Sequence, residues 1–196
     1  MALLDRSVRD LLKAFSSSDP TPGGGSASAL AASVGASLLL MVAGLPKTRH
    51  NSDEDRAALE AAAAQLVGIR DQLAGAVDAD TAAYDAVVAA YKRPKASDEE
   101  KQARTAAIQR ALTGATDVPL RVMRLSAEAL ALAETVAAHG HAAAASDVGV
   151  AEALLRAGRE GARLNVEINL GSIADAGYAS AVRAEVARVT SPTRPR

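Results

Sequence analysis

The sequence predicts an all-α fold, a multihelical bundle built around one buried, apolar central helix. Three observations carry this. Apolar residues make up 49% of the 196-residue chain but aromatics only 2%, so alanine, leucine and valine build the core. Alanine is the strongest helix former, whereas strands draw on β-branched and aromatic residues. Apolar positions recur at helical spacing through every long segment, and no stretch alternates with period two for long enough to make a strand. Finally, Ala27 to Leu45 contains no charged residue. A helix apolar all round has to be buried. Ser28, Ser33, Ser37, Gly35 and Gly44 dilute its hydrophobicity, so it reads as a core helix rather than a membrane span.

The first helix is expected from Arg6 to Phe15, with Val8, Leu11, Leu12 and Phe15 on one face. Ser16 to Gly25 holds two prolines and three glycines, which cannot be helix interior, so it is a loop. Ser26 is the expected N-cap of the apolar helix. After a polar break at Pro46–Asn51, Ser52 or Asp53 caps a very long helix that Pro94 ends. Leu59, Leu66, Leu73 and Val87 recur at multiples of seven along it, and the missing member of that series is Asp80. Val77, Tyr84 and Tyr91 run alongside.

Ser97 and Glu100 form a capping box for the next helix. Pro119 is expected to kink or break that helix, and Gly140 to follow its end at His139. Ser146-Asp147 opens a helix through Leu154, Leu155, Leu164 and Ile168, and a last short one carries Val182, Val186 and Val189. One helical domain over residues 1–190 is expected, with a disordered tail at 191–196.

The net charge of −1 argues against nucleic acid as the partner, because phosphate binding needs a basic face. The chain has no cysteine, which removes thiol chemistry and fits a reducing compartment. The start, Met1 to Arg6, does not read as a signal peptide. A cytoplasmic protein that binds no membrane is expected.

Several residues can carry chemistry. In Pro20-Thr21-Pro22-Gly23-Gly24-Gly25-Ser26 the glycines let a ligand approach the main chain, and the helix start offers free N–H groups for a carboxylate or phosphate. The plain alternative is a flexible connector. Asp80 places a carboxylate on the apolar stripe of a long helix, where it is paired, set in an opening of the core, or functional. Asp78 and Asp85 lie off that stripe and are expected in solvent. Asp147 stands at a helix start, where an acid is favourable without any further role. Asn165 and Asn169 share a face with Gly158 and Gly161; their amides either read a heterocycle's edge or bridge close helices. His50, His139 and His141 show no metal-ligand spacing, and no metal site is read.

Taken together, Pro20 through Leu30 resembles the opening signature of the formiminotransferase-cyclodeaminase C-terminal family, which includes stand-alone bacterial methenyltetrahydrofolate cyclohydrolases. Asp80-Thr81-Ala82-Ala83-Tyr84-Asp85-Ala86-Val87, Ser146-Asp147-Val148-Gly149-Val150-Ala151 and Asn165-Val166-Glu167-Ile168-Asn169-Leu170 match in the same order. The segments around Pro94–Lys101 and Ala115–Leu120 resemble the cyclohydrolase branch. The resemblance spans about Leu11 to Ile173. It departs after Gly140, where His141 and Ala143 replace two asparagines of the family pattern.

This resemblance implies a multihelical homodimer acting on a tetrahydrofolate. The expected reaction is hydrolysis of 5,10-methenyltetrahydrofolate to 10-formyltetrahydrofolate. The alternatives are formimidoyltetrahydrofolate cyclodeaminase, which releases ammonia, and a folate-binding dimer without turnover. Asp80 is the expected catalytic carboxylate and Asp147 its orienter or proton shuttle. Thr21, Gly23, Gly24, Gly25, Ser26, His141 and Asn165 are the expected substrate contacts. No metal and no cofactor are expected.

Overall fold

The structure, a computed structural model, describes residues 2–190; the tail expected at 191–196 lies outside them. It has six α-helices: α1 (Val8–Phe15), α2 (Gly24–Ala43), α3 (Asp53–Tyr91), α4 (Asp98–His139), α5 (Ala145–Leu170) and α6 (Ala176–Thr190). Short 3-10 turns at Leu3–Asp5 and Ala142–Ala144 precede α1 and α5. Among the described residues, extended pairing is confined to one isolated antiparallel bridge between Thr48 and Gly140.

Helices α2, α3, α4 and α5 form a ring in which each packs along the next, and α2 touches α4 more sparingly across it. The sevenfold series of α3 points inward as its period requires: Leu59, Leu66 and Leu73 are fully buried, with Leu39, Met123, Val136, Leu155 and Val166 around them. Helices α2 and α5 approach closely because their contact residues are small. A Cβ on Gly158 would lie 2.6 Å from the Ser28 carbonyl oxygen, and one on Gly35 would lie 2.8 Å from that of Ala151. Gly158 and Gly161 thus pack within the chain against α2.

The apolar helix α2 is enclosed on the sides that face α3 and α5, where Ala29, Ala32, Ala36 and Leu39 are inaccessible. It is not enclosed all round. Ala27, Val34, Ser37 and Met41 are exposed on its outer side. By length and composition it is apolar enough to cross a membrane, and half of its most apolar stretch is buried in the bundle.

Helix lengths differ, and this creates the site. The 20 residues of α2 span about 30 Å, while the 39 of α3 and 42 of α4 span about 60 Å each at 1.5 Å per residue. The α3–α4 hairpin therefore overhangs the start of α2, held by a small core of its own around Ala90, Ala107, Ile108 and Leu112.

Several ends differ from expectation. Helix α1 starts at Val8, capped by Ser7, two residues later than expected. Helix α2 starts at Gly24 with Gly23 in the cap position, so Ser26 lies inside its first turn rather than capping it. Ser52 caps α3, and Ser97 with Glu100 forms the expected capping box of α4. Gly140 ends α4 in an extended conformation (φ −68°), not in the left-handed one typical of a glycine after a helix. Helix α5 begins at Ala145, one residue early.

Pro119 neither breaks nor ends α4, which runs on to His139. A proline inside a helix has no N–H for the carbonyl four residues back. Here that carbonyl belongs to Ala115, and the side-chain amide of Asn169 on α5 donates to it at 2.8 Å.

Candidate active site

Asp80 stands on α3 opposite the first turn of α2. One carboxylate oxygen, Oδ2, accepts the Ser26 backbone N–H at 2.9 Å. The Ser26 hydroxyl lies 3.1 Å from the same oxygen and 2.8 Å from the Val77 carbonyl, so its single proton chooses between them. Asp80 thus caps α2 from another helix, which is the structural reason a carboxylate interrupts the apolar series. An anion at a helix N-terminus is favoured by the unpaired N–H groups there. Burial works the other way and dominates: it pushes the Asp80 carboxyl above the usual carboxylate range, against the lowering pull of the Ser26 bonds.

Gly25 makes this approach possible. A Cβ at Gly25 would overlap the Asp80 carboxylate, whereas one at Gly24 would make an ordinary contact, 3.6 Å from the Asn165 amide nitrogen. The sterically indispensable glycine of the loop is therefore Gly25.

In front of Asp80 lies a cleft of about 270 Å³, walled by Pro20, Thr21 and Gly23–Gly25, by Ala83, Tyr84 and Val87 of α3, by Leu112 and Ala115 of α4, and by Asn165 and Asn169 of α5. Asp80 is the charged member of this lining, which includes no lysine, arginine or histidine. Asn165 spends one amide hydrogen on the Gly161 carbonyl at 2.8 Å. Its carbonyl oxygen and second amide hydrogen remain for a ligand. The arrangement offers a basic carboxylate, hydrogen-bonding amides and apolar walls, which suits a flat, cationic heterocycle.

Five of the expected contacts, Thr21, Gly23, Gly24, Gly25 and Asn165, therefore meet Asp80 in one cleft. Ser26 is fully buried behind Asp80 and holds it. Two expected residues are elsewhere. Asp147 lies in the first turn of α5 and His141 just before it. Asn165 is five helical turns further along α5, about 27 Å away. Tyr84 and Asn169 line the cleft as well. In the sequence Tyr84 runs alongside the apolar stripe, and its place one turn after Asp80 on the same helix is the signal that sets it at the cleft. Asp78, expected in solvent, accepts the Leu3 N–H at 2.6 Å and ties the N-terminal turn to α3. Asp85 is exposed, as expected.

Sequence reading missed one cluster at the far end of α3. The Asp55 carboxylate is buried and accepts from Thr48 Oγ1 at 3.1 Å and the His50 N–H at 2.6 Å, and pairs with His139 Nδ1 at 2.8 Å. These bonds, the one from His139 first, hold its carboxyl well below the usual range. They fasten the loop between α2 and α3 to the end of α4.

Comparison with known proteins gives the chain's family and relatives. The formiminotransferase-cyclodeaminase family profile matches residues 7–188. The chain is 41% identical to the methenyltetrahydrofolate cyclohydrolase of Methylorubrum extorquens over 89% of its own length and 84% of that protein. It is 32% identical to the formimidoyltransferase-cyclodeaminase of Rattus norvegicus, again over 89% of this chain but only 32% of that one, so it spans about a third of such a relative. Its fold matches the crystal structure of formiminotetrahydrofolate cyclodeaminase from Thermotoga maritima with a TM-score of 0.83 at 26% identity, covering 95% of this chain and 89% of that chain.

Proposed function

This chain belongs to the formiminotransferase-cyclodeaminase family, and on that premise we propose that it is an enzyme hydrolysing 5,10-methenyltetrahydrofolate to 10-formyltetrahydrofolate. The observation that carries the reading is Asp80: a carboxylate fixed through Oδ2 by Ser26, made more basic by burial, and facing a cleft without cationic side chains. The similarity to a cyclohydrolase over most of both chains supports it.

The methenyl carbon sits between two nitrogens in a cationic five-membered ring. A carboxylate beside it stabilises that cation and accepts a proton from the attacking water. A carbon–oxygen bond forms, giving a tetrahedral carbinolamine. The carbinolamine then loses its hydroxyl proton to solvent, the bond from carbon to one ring nitrogen breaks, and that nitrogen takes up the proton the carboxyl had accepted from water. The sum is one water consumed and one proton released. Because the carbon is already electrophilic, this scheme calls on no metal or redox group. Asn165 and the unpaired Gly24 and Gly25 amides are suited to the polar parts of the folate. A cytoplasmic homodimer is part of the same reading.

The test is purified protein assayed side by side with methenyl- and formimidoyl-tetrahydrofolate. Loss of the methenyl near-ultraviolet absorbance, faster than without protein, is expected. Ammonia release from the formimidoyl compound with no methenyl turnover would transfer the activity to the cyclodeaminase reading.

A further inference from the structure

We propose that Ser26 is a positioning residue for Asp80. Its hydroxyl swings to Asp80 Oδ2 when that carboxylate is ionised and back to the Val77 carbonyl when it is protonated, which leaves Oδ1 to do the chemistry. The proposal rests on the reading of the cleft as the active site. It also takes Ser26 out of the substrate contacts that the family resemblance implies.

The first observation is that the two oxygens of Asp80 differ. Oδ2 accepts the Ser26 backbone N–H at 2.9 Å and lies 3.1 Å from the Ser26 hydroxyl. Oδ1 has no hydrogen-bond partner among the described residues, and it is not sealed from solvent. A carboxylate held by one oxygen keeps its orientation while the other stays open to water. Oδ1 is therefore the atom that takes the proton from the attacking water and passes it to the ring nitrogen.

The second observation is that Ser26 touches Asp80 from behind and is out of a ligand's reach, being 0% exposed. Its Oγ carries one proton and has two acceptors, the Val77 carbonyl at 2.8 Å and Asp80 Oδ2 at 3.1 Å. Thr81 Oγ1 stands 3.4 Å away as a further neighbour. The Val77 carbonyl does not depend on Ser26, because within α3 it takes the N–H four residues on, that of Thr81. Oδ2 in turn keeps the backbone N–H. Rotation about the Cβ–Oγ bond therefore strands no buried group in either state.

The third step is energetic. A hydroxyl donates more strongly to a carboxylate than to a neutral carbonyl. Protonation on Oδ1 makes Oδ2 a neutral carbonyl, and the shorter contact with Val77 then wins. A hydrogen bond made only to the charged form favours that form. Burial raises the Asp80 carboxyl, and the Ser26 bonds are the opposing pull. The N–H is fixed by the helix, so the hydroxyl is the adjustable part. The cleft holds little else that could set this balance. Helix α2 has no charged residue, α4 presents Leu112 and Ala115, α5 presents Asn165 and Asn169, and Tyr84 is the other titratable side chain of the lining. On α3, Asp78 is turned to the Leu3 N–H and Asp85 is exposed. Ser26 thus lets a buried Asp80 start as a carboxylate and give its proton up again.

The test is Ser26→Ala, which removes one oxygen, adds nothing and puts a better helix former in α2, so the fold is kept. Carbon-13 NMR of the Asp80 carboxyl in the resting protein should show its titration moved up by about one pH unit, the worth of a hydrogen bond to a charged group. Assayed with methenyltetrahydrofolate, the variant should be about tenfold slower on the acid side, with the gap closing as pH rises and KM unchanged. Tyr84→Phe should leave the acid limb in place. An unmoved carboxyl titration would overturn the swing. An equal loss of kcat at every pH would make Ser26 a structural support, and a raised KM with an unmoved limb would return it to the substrate contacts; either result overturns the proposal. A displaced carboxyl titration in a protein whose wild type turns over neither folate would keep the swing and sink the proposed reaction instead.

Discussion

Asn169 on α5 donates a 2.8 Å hydrogen bond to the Ala115 carbonyl of α4, the acceptor that Pro119 leaves without a backbone partner. Two residues far apart in sequence thus repair one helix, and the repaired turn is a wall of the cleft. Asn169→Ala should destabilise the protein by about 1–2 kcal/mol, the cost of leaving a partly buried carbonyl unpaired. In a Pro119→Ala background, where the backbone can supply the missing N–H, the same change should cost clearly less. Denaturant melts of the four proteins give the coupling; an unchanged cost would disconnect the two residues.

Asp80→Asn should lower turnover about 100- to 10,000-fold, the usual worth of a general base, with folate affinity largely kept. The fold should survive, since an asparagine carbonyl can still accept the Ser26 N–H. Normal turnover would take Asp80 out of the mechanism, and unfolding would make it a cap alone.

The pH dependence of Asp80 has a definite sign. Its folded carboxyl titrates above the ordinary aspartate value of about 3.9. Activity should therefore fall on the acid side with an apparent pKa above that value. Between about pH 4 and its folded pKa the folded state binds the proton more readily than the unfolded one, so this residue's contribution to stability is lost as pH rises through the window. Thermal melts of Asp80→Asn should lack that component.

Asp55 gives the opposite slope. Its folded carboxyl is depressed by His139 and the His50 amide. The stability it contributes is present above the unfolded value of about 4 and is lost as pH falls below it. Asp55→Asn should melt lower than wild type at neutral pH and lose less on acidification. A parallel pair of melting curves would show that the cluster contributes nothing.

Gly25→Ala should abolish most activity and cost about 1–3 kcal/mol, because its methyl group must displace the Asp80 carboxylate or the helix start. Gly24→Ala, with ordinary contacts, should fold and turn over near normally. Equal behaviour of the two variants would contradict the packing seen here.

The sequence revealed the helices and the position of Asp80 through periodicity, which is a local signal. It misplaced what depends on partners far along the chain. Ser26 looks like a cap because the true capping carboxylate comes from Asp80 on another helix. Pro119 looks like a break because the amide that accommodates it is Asn169. Asp55 and His139 lie at the ends of different helices, and nothing in either neighbourhood announces the pair. Asp147 and His141 join the site only through the family resemblance, and the fold of one chain holds them apart from it.

The cleft exists because α2 stops short of the α3–α4 hairpin. Its depth is therefore a difference between helix lengths, and such a difference changes in whole steps. One further turn at the start of α2 would advance its end by about 5.4 Å and fill the space in front of Tyr84; one turn fewer would strip Asp80 of its hydrogen-bond donor. Capacity for larger or smaller ligands is thus set by insertions and deletions of three or four residues before Gly24, with the ring core left untouched.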